Sequence, residues 1–287
     1  MTTGTKFKDI YDGALHDPQA LEHFWEDDPY EDLTWEVGNN LVRKYLPDGG
    51  IVLDLGCGIY PHSEVAFDVT LVGADISAGS LKSANANYRH LPISYICADA
   101  VHLPFRDGQI DLVIAVGELW NHVNSGHLLK ELRRILSVGG IIIIDAAMKL
   151  CLYNLYMFLG SVLKMHFAKD IDRGEAIRAL KHPLRPCEIT WQITPQDRAT
   201  VSLPTAGSAL ETIRASGLAL REVFGTVVAS DIVPRPIQNL EESSGVVRRL
   251  LRILRQLDSK LGGLGPFWRL GGNCFFVLQN GHGTERV

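Results

Sequence analysis

Three aspartates stand at the ends of short apolar runs: Asp54 in VLDLGCG, Asp75 in TLVGAD and Asp99 in SYICADA. Ligands of an open parallel sheet bind beyond the carboxyl ends of its strands, so acids at those ends face the bound molecule. A carboxylate after the second strand is placed to accept two hydrogen bonds from a ribose diol. One after the third can accept from an exocyclic amine such as that of adenine. Gly56 and Gly58 follow Asp54, and glycine lets a ligand lie against bare backbone. A dinucleotide G-x-G-x-x-G fails at Pro61, and no G-x-x-x-x-G-K-[ST] occurs. Acids without a phosphate cradle suit a nucleoside that carries a cationic, non-phosphorylated tail.

Proton chemistry centres on GELWNHV, residues 117–123. His122 has the residue type to deprotonate a hydroxyl near neutrality; the competing reading is a packed or backbone-bonded histidine at the start of the next helix. Glu118 is a contact for cofactor or substrate. Trp120 divides evenly between core and substrate wall. His62 reads as a helix-start residue. The histidines lack ligand spacing and the five cysteines are scattered without a Cys-x-x-Cys pair, so neither a metal site nor a disulfide framework is expected, and a reducing cytoplasm fits.

The elements that must position these groups alternate. IVLDL (51–55), TLVGAD (70–75), SYICA (94–98), DLVIAVG (111–117) and IIIID (141–145) have the composition of strands buried on both faces. SLKSANANY (80–88) and HLLKELRRILS (127–137) have helical spacing. Such alternation predicts a parallel sheet with helices on both faces. The pattern breaks after 145 and resumes with Thr205 as a helix cap, Gly217 as its stop, a strand over 218–228, and a last strand, NCFFVLQ (273–279).

The ordered set VLDLGCG, GADIS, ICADAVHLPFRDGQIDLVIA and LLKELRRILSVGGIIII resembles the class I S-adenosylmethionine-dependent methyltransferases. It is most similar to the small-molecule branch that includes ubiquinone- and menaquinone-type enzymes. The resemblance covers 50–145 closely and 203–228 and 272–279 more loosely. It implies a Rossmann-like α/β fold, with a seven-stranded mostly parallel sheet, and S-adenosyl-L-methionine as cofactor. By the same resemblance Asp54, Gly56 and Gly58 line the methionine end, with Cys57 and Tyr60 in the same turn. Asp75 and Ile76 take the ribose side, Asp99 and Ala100 the adenine, and Gly117 and Glu118 flank the sulfonium. Tyr60 occupies the family's usual third glycine, so either a positive φ there strains the turn by ~1–2 kcal/mol or the turn shifts and the phenol covers the methionine moiety. The spacing to Asp75 also predicts a short first helix.

Domain organisation follows: an N-terminal helical lid (1–46), a cofactor core (47–145), a helical substrate-lid insertion (146–202), core again (203–231), a basic helical insertion (232–271) and a last strand with tail (272–287). Both insertions, after the fifth and sixth strands, leave the edge where the cofactor lies. Met148, Leu152, Tyr156, Phe158 and Met165 either wall an apolar pocket, with Met148 and Tyr156 on the substrate, or pack the lid's own core. In the second insertion Val246, Val247, Leu250, Leu251, Leu254, Leu257 and Leu261 form one stripe opposite Arg248, Arg249, Arg252 and Arg255. That helix suits peripheral membrane contact through 244–261, the grip of an anionic group, or a solvated lid or homodimer face. Acidic residues 22–36 read as solvated surface.

With 46% hydrophobic and 21% charged residues, the 287-residue chain reads as a globular protein. A net charge of -5 argues against nucleic acid as substrate. The N-terminal MTTGTKFKDIYDG lacks a signal-peptide pattern. Residues 146–167 have the length of a bilayer span, but Lys149, Asn154, Ser161, Lys164 and His166 break their apolar character. The expected function is methyl transfer to oxygen or carbon of a lipophilic small molecule, a quinone, isoprenoid or other product of secondary metabolism. The competing readings are a rearrangement or cyclisation on the same cofactor, and a non-catalytic cofactor-binding partner of another enzyme.

Overall fold

The computed structural model describes residues 31–165, 171–192, 198–228 and 244–281. The expected helix start at Asp17-Pro18, the acidic residues 22–30 and residues 232–243 of the basic insertion lie outside them.

Strands β1 (Ile51–Leu55), β2 (Thr70–Asp75), β3 (Ile93–Cys97), β4 (Ile110–Ala115), β5 (Leu136–Ala147), β8 (Ala219–Thr226) and β9 (Asn273–Gln279) form one seven-stranded sheet in the order β3-β2-β1-β4-β5-β9-β8. The pairs among β1 to β5 are parallel, and β9 runs antiparallel between β5 and β8. The alternating segment gives the parallel strands expected of it, and the whole sheet is mostly parallel, as the resemblance implies. Every residue of β4 but Asp111 is buried; continuous apolar runs of this kind are what a sheet covered on both faces requires.

Helices α1 (Glu31–Tyr45), α2 (Ala78–Asn87), α3 (Leu119–His122) and α4 (Ser125–Ile135) accompany the first five strands. Leu128, Leu129, Leu132 and Ile135 of α4 are wholly buried, the stripe its spacing predicts. On one sheet face they meet Leu53, Val113, Ile142, Ile144 and Phe276. On the other, Leu41 and Val42 of α1 meet Val52, Leu112, Ile114, Ile143 and Phe275.

The first insertion carries two helices and, in addition, a strand pair that the sequence did not announce. It holds α5 (Leu152–Val162), α6 (Arg173–Lys181) and a two-stranded antiparallel sheet of β6 (Cys187–Gln192) and β7 (Arg198–Leu203). Its alternation Ile189, then Ala199, Val201 and Leu203, faces Met157, Phe158, Ile171, Ala176 and Ala179 in a small second core. Strand β5 also runs to Ala147, which shortens the apolar helix to eleven residues. No helix among the described residues is long and apolar enough to cross a membrane.

The core resumes as the sequence predicts. Thr205 caps α7 (Ala206–Ser216) by accepting from the Ser208 backbone, and Gly217 ends it at φ 74°. The basic helix α8 (Gly245–Leu261) leads through a 3₁₀ segment, Gly265–Leu270, into β9.

Candidate functional site

Parallel register brings the chemical groups to one edge. Asp54 pairs with Gly73 and Ile114, Asp75 with Cys97, and Ala115 with Ile144. The ends of β1, β2, β3, β4 and β5 thus share a rim. Strand β8 ends on the same rim, so both insertions leave from it.

The turn after β1 is unusually spare. Where the spacing predicts a short helix, a three-residue 3₁₀ turn, Ser63–Val65, follows. The expectation of a short first helix is met in an extreme form, and no run of helix-start N–H groups faces the rim. Other contacts hold the turn. Gly56 and Cys57 donate their N–H groups to Ala74 O at 2.7 and 3.2 Å. Gly58 N–H donates to Asp75 Oδ2 at 3.0 Å and Ser77 N–H to Asp75 Oδ1 at 2.8 Å. Gly56 (φ 76°) and Gly58 (φ 53°) lie in the left-handed region, and a Cβ on Gly58 would meet nothing within 4 Å. Bare backbone therefore borders open space.

Tyr60 is half exposed. The described non-glycine residues with positive φ are Glu118, Lys164 and Val227, so the strain expected at Tyr60 is absent. The turn is closed by Tyr60 N–H on Cys57 O.

Asp54 sits beneath the turn. Its Oδ2 accepts the His62 backbone N–H at 2.7 Å and lies 3.2 Å from His62 Nδ1, with both side chains buried. Burial pulls the imidazole down, but the Asp54 charge and hydrogen bond outweigh it, leaving His62 raised. Asp54 fixes the turn's shape from below. His62 precedes the 3₁₀ turn, the helix-start position expected of it. The Cys57 side chain is buried too; the sulfur lies where a Cβ on Gly73 would touch it, which leaves its backbone toward the rim.

Asp75 keeps half its acceptor capacity after the two backbone N–H groups, because a carboxylate has about four lone-pair sites. Burial raises its pKa, partly opposed by N–H groups of Ser77, Gly58 and Ile76. Asp99, 44% exposed at its side chain, accepts from Val101 N–H at 3.1 Å. Ala100 is buried and Ile76 partly so.

A residue passed over in the sequence organises the next turn. Asp145, near the end of β5, is fully buried. Its Oδ1 accepts from Gly117 N–H at 3.0 Å and Glu118 N–H at 2.8 Å, and its Oδ2 from Asn273 Nδ2 at 2.8 Å. Burial raises its pKa against those donors. The signal was present: an acid closing the run IIIID cannot be buried without donors. Gly117 (φ 111°) is exposed with open space at its Cβ, and Glu118 holds φ 62° as the first residue before α3. A left-handed glutamate stores ~1–2 kcal/mol, retained because Asp145 dictates the turn.

Two expected substrate residues lie elsewhere. Trp120 is buried with its ring 5.6 Å from that of Phe276, and Met148 joins the same core. Both are core side chains, the packing alternative of the two that the sequence left open. Tyr156 and Phe158 pack against the second core, whereas Leu152 and Met165 are exposed. Burial pushes the His122 imidazole down to about 4. Asn121 beside it, also missed, donates to Ala147 O at 2.9 Å and Ser202 O at 2.6 Å and accepts from Ala147 N–H, tying the insertion to the rim.

A groove of about 420 Å³ lined by Ala78, Leu81, Lys82, Asn85, Ile93, Tyr95 and Cys97 lies between α2 and the outer strand β3. It holds none of the strand-end acids, which lie on the rim. No cluster of metal-ligating side chains occurs among the described residues.

Residues 53–144 match the family described as "Methyltransferase domain". An uncharacterised Methanocaldococcus jannaschii protein, MJ1252, is 32% identical over 133 residues, which are 46% of this chain and 50% of that one. Demethylmenaquinone methyltransferase of Corynebacterium urealyticum is 34% identical over 34% of this chain and 42% of its own. The chain spans about half the length of the curated relatives it matches. Among solved structures, the [4+2]-cyclase SpnF superposes with TM-score 0.59 at 17% identity, over 98% of this chain and 97% of that one, a likeness of fold. The matched segment, the strand order and the strand-end acids together identify residues 53–144 as a methyltransferase domain similar to those of the class I S-adenosylmethionine-dependent methyltransferases, a family whose cofactor is S-adenosylmethionine.

Proposed function

We propose that the chain binds S-adenosylmethionine along the rim and directs methyl transfer to oxygen or carbon of a lipophilic or amphiphilic small molecule. The observation that carries this reading is the conjunction of bare left-handed backbone at Gly56, Gly58 and Gly117 with the acceptor carboxylates of Asp75 and Asp99 on one sheet edge. Those groups fit the cofactor's parts. Asp75 has the spare lone pairs for a ribose diol, and exposed Asp99 with the Ala100 backbone suits an adenine edge. The glycines admit the amino-acid tail without a side chain in the way, and Gly117 and Glu118 border the sulfonium side. When bound, the cofactor supplies an activated methyl on a positively charged leaving group. The chain's share is to align the acceptor and exclude water.

With His122 held near 4, it is a weak proton acceptor at neutral pH. That favours an acceptor whose nucleophile reaches the site without a proton to remove. Apolar Leu152, Leu155, Leu159 and Met165 on the insertion leaving the rim favour a lipophilic acceptor, and one relative's name gives demethylmenaquinone as its own.

The full-length likeness of fold to a [4+2]-cyclase favours a second reading, in which the same cleft promotes a cyclisation without methyl donation. Calorimetric titration with S-adenosylhomocysteine tests the shared premise: micromolar binding is expected, and no binding ends both readings. Product mass then separates them, because methyl transfer alone adds a methyl group.

A further inference from the structure

The single stripe read from the sequence of α8 is divided by the fold. Leu251 and Asp258 are buried, with Val247, Leu254 and Leu261 partly so; this side docks on the molecule. The helix end is pinned where Gly225 N–H donates to Gly262 O at 2.9 Å, a contact so close that a Cβ on Gly262 would strike the Gly225 carbonyl. A second row stays outside: Val246 is 80% exposed, Leu250 44%, Ile253 49% and Leu257 42%. Their spacing of four, three and four residues places them on one line along the helix. After Gly262-Gly263 the 3₁₀ segment adds Leu264, Phe267 and Leu270, all exposed and three residues apart, hence on one face of that tighter helix. An exposed apolar patch of this kind marks an interaction site.

Charge identifies the occupant. Exposed Arg249, Arg252 and Lys260 flank the outer row on the side away from the docked face. Helix α8 carries five basic residues (Arg248, Arg249, Arg252, Arg255, Lys260) against one acid, the buried Asp258, in a chain of net charge -5. A second copy docking through the same face by two-fold symmetry would set arginine against arginine. A surface of anionic headgroups over acyl chains answers both parts of the patch.

We propose that the outer face of α8, continued by Leu264, Phe267 and Leu270, docks the protein peripherally on an anionic lipid surface. Binding there needs no turnover, so it stands apart from the methyl-transfer reading.

The test is co-sedimentation of the full chain with vesicles of phosphatidylcholine alone or mixed with phosphatidylglycerol. The unaltered protein sediments with the mixed vesicles, at least about tenfold less with the neutral ones, and is released by salt. Arg249→Gln with Arg252→Gln weakens binding to mixed vesicles about 30-fold, at ~1 kcal/mol per surface charge. Ile253→Glu with Leu257→Glu abolishes it. Circular dichroism and S-adenosylhomocysteine titration of both variants stay unchanged, which separates lost docking from a lost fold or cleft. Absence of sedimentation with anionic vesicles, or sedimentation of both variants equal to that of the parent, overturns the proposal. So does a dimer in gel filtration that Ile253→Glu with Leu257→Glu dissociates, because the face is then an interface between copies.

Discussion

Asp145 Oδ1 accepts the backbone N–H of Glu118 at 2.8 Å, and this bond holds a glutamate in left-handed backbone (φ 62°) on the rim of the sheet. The same oxygen takes Gly117 N–H, while Asn273 donates to the other. Asn273 Oδ1 is buried without a partner. Asp145→Asn can therefore be accommodated by an Asn273 amide turned over to accept from it, and costs less than about 1 kcal/mol in urea denaturation. Asp145→Ala leaves three donors unpaired, that of Asn273 buried and those of Gly117 and Glu118 partly so, and costs about 2–3 kcal/mol. It also weakens S-adenosylhomocysteine, because the turn beneath the ligand loosens.

Gly58 and Gly49 make a matched pair. Both have positive φ and open space at the Cβ position, but only Gly58 borders the proposed cleft. Alanine at either should cost about 1 kcal/mol in thermal or urea unfolding. Gly58→Ala should in addition lower S-adenosylhomocysteine affinity at least about tenfold by calorimetry. Equal affinities for the two variants would move the cleft elsewhere.

Asp75 is expected to contribute most of the ribose recognition. Asp75→Ala removes charge-assisted acceptors worth about 2 kcal/mol, so S-adenosylhomocysteine affinity falls about 30-fold. The Gly58 N–H also loses its partner, so a stability loss of about 1–2 kcal/mol accompanies it. Asp75→Asn keeps one acceptor oxygen and should fall between the two.

His122 gives a pH signature. Its folded pKa of about 4 lies below the ordinary 6.5, so the unfolded chain binds the proton more tightly. The stability from a neutral His122 is full above pH 6.5 and is lost as pH falls toward 4. Between pH 7 and pH 5 the loss is about 2 kcal/mol. His62, raised by Asp54, titrates with the opposite sign, so the difference between the parent and His122→Phe isolates the effect in urea melts.

The strands themselves, the acids Asp75 and Asp99 and the caps at Thr205 and Gly217 were legible because each rests on local chemistry. An apolar run ending in an acid is a buried strand meeting solvent, and Thr205 and Gly217 act within their own helix ends. What lay beyond the sequence depends on distant partners. The pairing of Asp54 with His62, whose ring lies 5.6 Å from that of Trp35, could not be read from the chain. Trp120 and Met148 stood open between pocket wall and core until Phe276 and the core claimed them, and the β6–β7 pair was hidden because a short hairpin declares itself only against the helices it packs on. The split of the α8 stripe into docked and outward rows was likewise invisible. Periodicity states which residues share a helix face, but the breadth of that face which the sheet covers is set by tertiary contact at Gly225 and Gly262.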